Sequence, residues 1–149
     1  MKIAIGADHA AFELKEQIKP YLTSLGYEVV DVGTTSTHST DYPTYAASVA
    51  KRIQQAEVTE GILICGTGIG MSIAANKFRG IRAAAVSEVF SAQAAKEHNN
   101  ANVLCFGARV VDYKTALTLI DAWRTATYQG ARHDQRLALI DEFESQEQR

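Results

Sequence analysis

One run of the chain gathers groups that could do chemistry. In Ile64-Cys65-Gly66-Thr67-Gly68-Ile69-Gly70 a thiol is followed by three glycines in five residues. Apolar residues lead into the run and a helical pattern leads out, so it reads as a strand-to-helix turn. Glycines let the backbone approach a ligand closely, and the free N–H groups of a helix start suit an anion. A thiol at such a place is favoured as thiolate, the form that acts as base or nucleophile. The plainer alternative is a tight glycine turn beside an inert buried cysteine. That alternative accounts better for Cys105, which lies inside a strand pattern with no glycine loop next to it.

Other candidates stand at other element ends. Asp8-His9 follows the first apolar run, Asp41-Tyr42 follows the loop after the second, and Arg109 lies in the turn after the last. Near the C-terminus, Arg132, Arg136, Leu139, Ile140 and Phe143 fall within one arc of about 100° on a helical projection. His133, Asp134, Asp141, Glu142 and Glu144 lie outside that arc. Two guanidinium groups on the stripe a helix is expected to bury suggest a phosphate or carboxylate partner. Nucleotide fingerprints fit poorly, because G-x-G-x-x-G would need glycine where Met71 stands, and no G-x-x-x-x-G-K-S/T run occurs. Asp8, His9, Cys65 and His98 lack the local spacing of a zinc site, so no metal ligand is assigned.

These groups need elements to hold them. Ile3–Ile5, Val29–Val32, Ile62–Cys65, Ala83–Val86 and Val103–Phe106 read as five strands, the third central because it is the most apolar. Helical patterns lie between them. Phe12 to Leu25 is closed by Gly26, with a kink or break expected at Pro20. A second helix starts at Asp41-Tyr42-Pro43 and a third runs from Gly68 to Phe78. A fourth spans Ser87 to His98, with Asn99 and Asn100 as left-handed terminators. Asp112 caps a fifth helix, which buries Leu119, Ile120 and Trp123, and a last helix starts near Arg132. Thr34 to Thr40 reads as an extended loop. Strict alternation implies a three-layer, doubly wound, Rossmann-like α/β fold: a five-stranded parallel sheet, helices on both faces and an extra C-terminal helix. Ligands of such sheets bind beyond the carboxyl ends of the strands.

The 149 residues suit one domain spanning 1–149, and 15 Lys+Arg against 17 Asp+Glu leave a net charge of −2. Neither nucleic acid nor a membrane surface is therefore an expected partner. The opening MKIAIGADH lacks the length of a signal peptide or span. Two cysteines and no secretory signal make a reduced, cytoplasmic chain the expectation.

The segments IAIGADHAAFELK, TDYP, GILICGTGIGMSIAANKFRGIRAA, SEVFSAQAAKEHNNANVLCFGARVV and GARHDQR together resemble ribose-5-phosphate isomerase type B, in order and over nearly the whole chain. The resemblance implies aldose–ketose interconversion of ribose 5-phosphate and ribulose 5-phosphate through an enediol, without metal or organic cofactor. It implies Cys65 as the base, the loop Gly66, Thr67, Gly68, Ile69 and Gly70 as cradle for the enediolate, and His98 as acid/base in ring opening. Asp8, His9 and Asn99 would bind the sugar and Arg109, Arg132 and Arg136 its phosphate, with Thr67 and Tyr42 as further contacts. A second branch of the family carries glutamate where Met71 stands and lacks the cysteine, so this chain groups with the cysteine branch. Galactose-6-phosphate isomerase subunits share the glycine loop but usually lack the His98-Asn99 and Arg109 pattern; allose 6-phosphate stays open as a secondary substrate.

Topology adds a constraint. Asp8, His9, Cys65 and Arg109 follow strands, whereas His98 ends a helix returning to the opposite edge, roughly 17 Å away for five strand residues. A composite site in a homodimer, with His98 and Asn99 entering from a second subunit, resolves this; dimers could pair again into a dimer of dimers. The subunit that supplies Arg132 and Arg136 stays open. Two other readings compete, a non-catalytic phosphate- or nucleotide-binding module and a metal-dependent hydrolase.

Overall fold

The structure, a computed structural model, describes residues 1–147. Its elements run β1 (Lys2–Ala7), α1 (Phe12–Ser24), β2 (Glu28–Asp31), α2 (Tyr42–Gln54), β3 (Glu60–Cys65), α3 (Ile69–Ala75), β4 (Ala83–Ala85), α4 (Val89–Glu97), β5 (Val103–Gly107), α5 (Tyr113–Arg124) and α6 (Arg132–Gln146). The five strands form one sheet in the order β2-β1-β3-β5-β4, with β3 central. Every pair of neighbours is parallel. The order reverses between β1 and β3, so the crevice for a ligand opens where Asp8-His9 and Cys65 leave their strands.

Alternation along each strand divides the core into two layers. Ile3, Ile5, Ile62, Ile64, Leu104 and Phe106 face α1, α4 and α5, packing on Ile18, Leu22, Ala92, Leu119 and Trp123. Ala4, Leu63, Cys65, Val103 and Cys105 face α2 and α3, against Val49, Ala50, Met71 and Ala75. The second layer uses small residues, and Cys65 belongs to it.

Local signals set most element ends. Asp112 accepts from Thr115 N at 2.9 Å and Glu88 from Ser91 N at 3.0 Å, each capping a helix start. Of the two asparagines after α4, Asn100 takes the left-handed conformation, with φ 45°.

Two expectations fail. α1 runs unbroken through Pro20. Pro20 is exposed, so the carbonyl its missing N–H leaves unpaired can be hydrated, while buried Ile18 and Leu22 anchor the turns on either side. The stripe expected to be buried on the last helix is instead open in the single chain. Leu139, Ile140 and Phe143 are 44%, 50% and 59% exposed, and His133 is the buried residue of α6.

A buried cation steadies the loop that leads to Tyr42. Lys15, 1% exposed, donates to Asp31 Oδ2 at 2.6 Å and to Glu16 Oε2 at 2.8 Å. Asp31 Oδ1 accepts from Gly33 N at 2.9 Å, and Thr34 N then donates to Ala7 O at 3.0 Å, laying the loop across the end of β1. Against the upward push of burial, bonds from Lys15, Lys19 and Gly33 hold the Asp31 carboxyl below its usual range. Bonds from Lys15 and Lys19 do the same for Glu16. Both groups therefore add stability at neutral pH that is lost as the pH falls below about 4, through their lowered folded-state values.

Removing either partner of the Lys15–Asp31 pair weakens the fold, and the loss is unequal. Asp31→Ala leaves the fully buried Lys15 with only the more exposed Glu16 carboxylate and should cost about 2 kcal/mol at pH 7, whereas Lys15→Met fills the same space and leaves Asp31 paired with Lys19. Urea unfolding at pH 7 and pH 3 checks this: Asp31→Ala should be the weaker protein at pH 7, with the gap from wild type narrowing in acid. Equal losses, or a gap independent of pH, would contradict the account.

Candidate active site

Two groups of polar side chains gather, at opposite edges of the sheet. At the carboxyl edge, Cys65 is 5% exposed and its Sγ accepts from Gly68 N at 3.1 Å. That contact needs the chain to turn back sharply. Gly68 has φ 84°, and a Cβ there would lie 2.7 Å from the Phe106 backbone, so both the conformation and the space demand glycine. Ile69 N donates to Thr67 Oγ1 at 3.2 Å, which leaves the Thr67 hydroxyl proton available to a ligand.

The neighbouring strands supply the rest of this edge. Asp8 is 6% exposed, and its Oδ1 accepts from Ala10 N at 3.1 Å. His9 Nδ1 accepts from Thr40 N at 3.1 Å, so in the neutral ring Nε2 carries the proton. Tyr42 lies over the loop: a Cβ on Gly70 would come within 2.6 Å of its ring. Arg109 lies against the loop's other end, its Nη1 3.3 Å from where a Gly66 Cβ would be. Tyr42 and Arg109 thus meet the loop Cys65–Gly70, and Asp8 and His9 leave the neighbouring strand at the same edge. Cys105 is fully buried inside β5, and that burial, with Cys65 adding to it, pushes its thiol far up and keeps it protonated.

At the amino edge, α4 ends beside the start of β3, where Lys96 pairs with Glu60. His98 follows and stacks on His133, ring centroids 4.6 Å apart and planes 16° from parallel. Gln129 ties the α5–α6 connection to this end, its N donating to Glu97 O at 3.0 Å and its Nε2 to Glu97 Oε2 at 2.6 Å. Arg132 and Arg136 flank His133 on the first turns of α6. Burial, then the charges of Arg132, His98 and Arg136, hold the His133 imidazole below the usual histidine range. Its Nε2 is buried with no hydrogen-bond partner among the described residues.

His133 is the site residue that helical periodicity missed. The projection set it outside the arginine stripe, and its ring meets those of His98 at the end of α4 and of Tyr128. Asn99 is exposed and borders a groove of ≈ 730 Å³ that Leu137, Ile140 and Phe143 of α6 also line. The length of β3, roughly 17 Å, separates the two groups.

This fold and arrangement have close counterparts. The model for the Ribose/Galactose Isomerase family matches residues 3–140. Ribose-5-phosphate isomerase B of Escherichia coli (strain K12) is 53% identical over 143 residues, 96% of each chain. D-erythrulose-4-phosphate isomerase of Pectobacterium atrosepticum is 43% identical over 99% of this chain and 97% of its own. A solved structure of Clostridium thermocellum ribose-5-phosphate isomerase B matches with a TM-score of 0.98 and 46% identity, covering 99% of this chain and 100% of that one. With both its sequence and its all-parallel sheet matched nearly end to end, the chain belongs to the Ribose/Galactose Isomerase family.

Proposed function

We propose that the protein interconverts ribose 5-phosphate and ribulose 5-phosphate, as in pentose phosphate metabolism, through one isomerase domain that spans the chain. The observation that carries the chemistry is the Gly68 N–H aimed at the Cys65 sulfur at the turn that opens α3. A proton α to a carbonyl is weakly acidic, so the step needs a placed base and a place for the charge. Cys65 thiolate takes the C2 proton of the open-chain aldose, and negative charge develops on O1, where N–H groups of Gly66–Gly70 receive it. The Cys65 thiol then returns the proton to C1, the O2 hydroxyl proton passes to O1, and the carbonyl stands at C2. The Thr67 hydroxyl is placed to serve that oxygen-to-oxygen transfer. Asp8, His9, Tyr42 and Asn99 hold the sugar hydroxyls, and the reaction draws on no metal or organic cofactor.

His98 opens the sugar ring, and Arg109, Arg132 and Arg136 hold the phosphate. Because the two polar groups stand at opposite edges, the working unit is a homodimer in which His98 and Asn99 serve the site of the other subunit. The stacking of His98 on His133 favours Arg132 and Arg136 entering with them. Exposed Val89, Phe90, Leu139, Ile140 and Phe143 offer apolar surface for such pairing. Two free buried thiols suit the reducing cytoplasm, and no helix among the described residues is long and apolar enough to cross a membrane.

The direct test is ribose 5-phosphate isomerisation by wild type and Cys65→Ala, with and without EDTA. Wild type should turn over regardless of chelator, and the variant should lose activity by a factor on the order of 10³ or more. No turnover by the folded wild type ends the proposal, and full activity in the variant ends the role of Cys65. Mixing addresses the shared site. Cys65→Ala and His98→Ala chains, each inactive, should recover activity when co-refolded; confirmed exchange without recovery argues for a site within one chain.

Phosphate should also be visible at His133. A dianion offsets the arginine charges, so the titration midpoint of His133, low in the free protein, should rise when inorganic phosphate is added. An NMR pH titration reads it, and an unmoved midpoint at saturating phosphate would count against this phosphate site.

A further inference from the structure

We propose that Arg82 is a positioning residue for His98 and Asn99: its guanidinium sets the turn from which they reach the site of the second subunit. The proposal rests on the shared-site reading above. Arg82 stands at the entry to β4 and borders the same groove as Asn99, and its Nε donates to Asn100 O at 2.9 Å. Asn100 is the left-handed residue of the turn, with φ 45°. Asparagine is one of the few residues with a Cβ that take this conformation as single residues, so the turn depends on this one carbonyl and its partner. A charged donor on the following carbonyl is a strong one.

The rest of the turn is tied to the same segment. Arg82 N donates to Asn102 Oδ1 at 2.8 Å, and Asn102 Nδ2 donates to Gly80 O at 2.9 Å. Asn102 N returns a bond to Arg82 O at 3.0 Å, while Asn100 N donates back to Lys96 O at 3.1 Å. Residues 80–82 therefore grip the far side of the α4–β5 turn, while Gln129 grips Glu97 on the near side. His98 and Asn99 are the residues between these two grips. The sheet does not need the Arg82 side chain, since β4 and β5 pair through their backbones from Ala83↔Val103 onward. What the guanidinium adds is the direction of the turn. Presentation of a side chain to a second subunit tolerates little error: a misplacement of about 1 Å can cost on the order of a hundredfold in rate.

The test uses Arg82→Met, which keeps an apolar stem and removes the donor. Its kcat should fall by about ten- to a hundredfold, while inhibition by inorganic phosphate stays at the wild-type constant. Mixed with Cys65→Ala it should regain activity, because the heterodimer joins an intact Cys65 to a His98 turn held by an intact Arg82. Random pairing then gives about a quarter of the wild-type rate per subunit. The Cys65→Ala and His98→Ala mixture is the control. If the control recovers and the Arg82→Met mixture does not, the assignment of Arg82 to the His98 turn is wrong. If the control itself fails, the shared site falls and this proposal with it. A wild-type kcat, or a weakened phosphate constant that marks Arg82 as a phosphate ligand, also overturns it. Should Arg82→Met not fold, Arg82→Lys keeps the charge, lacks the Nε donor and is read by the same outcomes.

Discussion

The closeness of the loops after β3 and β5 governs the carboxyl edge. A Cβ on Gly107 would lie 2.4 Å from Gly66 O and from Thr67 Cα, and one on Gly68 would meet the Phe106 backbone. Contact at that range is open only to backbone without side chains. The ladder that pairs Cys65 with Gly107 carries on beyond the sheet, as Ala108 N donates to Cys65 O at 2.9 Å and Arg109 N to Gly66 O at 3.1 Å. The thiol, the N–H groups of the loop and the Arg109 guanidinium are therefore placed by one continuous run of backbone bonds. Precision of this kind comes from strands rather than from side-chain packing.

The same parallel sheet that builds this edge separates it from the other. Each helix returns the chain to the amino edge, so a residue that ends α4 stands a full strand length from one that ends β3. His98 and His133 are held there by stacking, by the Glu97–Gln129 bonds and by the Lys96 ammonium, which pairs with Glu60 and lies 4.6 Å from the Trp123 ring centroid. Under the proposed mechanism each edge supplies half of an acid/base and anion-binding set. The proposed homodimer unites two such halves about a twofold axis without lengthening either chain.

Much of this was legible in the residues. Apolar runs at Ile62–Cys65 and Val103–Phe106 marked strands covered on both faces, and the glycines after Cys65 marked the turn that matters most. Pro20 misled because propensity describes an isolated helix, whereas α1 is held by the burial of Ile18 and Leu22. The stripe on α6 misled for a related reason. Periodicity reports which side chains share a face and says nothing of whether the chain's own body covers it, and in α6 the apolar face stays open. His133 was invisible to the same method, because the ring it stacks on belongs to a residue 35 positions earlier, His98.

Strand and helix order, the glycine turn at Cys65, the family membership and the arginines that share a face of the last helix are properties of local pattern and spacing, and the sequence by itself determined them. Only the tertiary structure decided which groups meet. It set Tyr42 over Gly70, Arg109 against Gly66 and His133 on His98, and it put Lys15 beneath the loop leading to Tyr42. Those contacts join residues far apart in the chain, and their geometry follows from how the layers pack and in which direction the strands run. Periodicity within one element contains neither quantity.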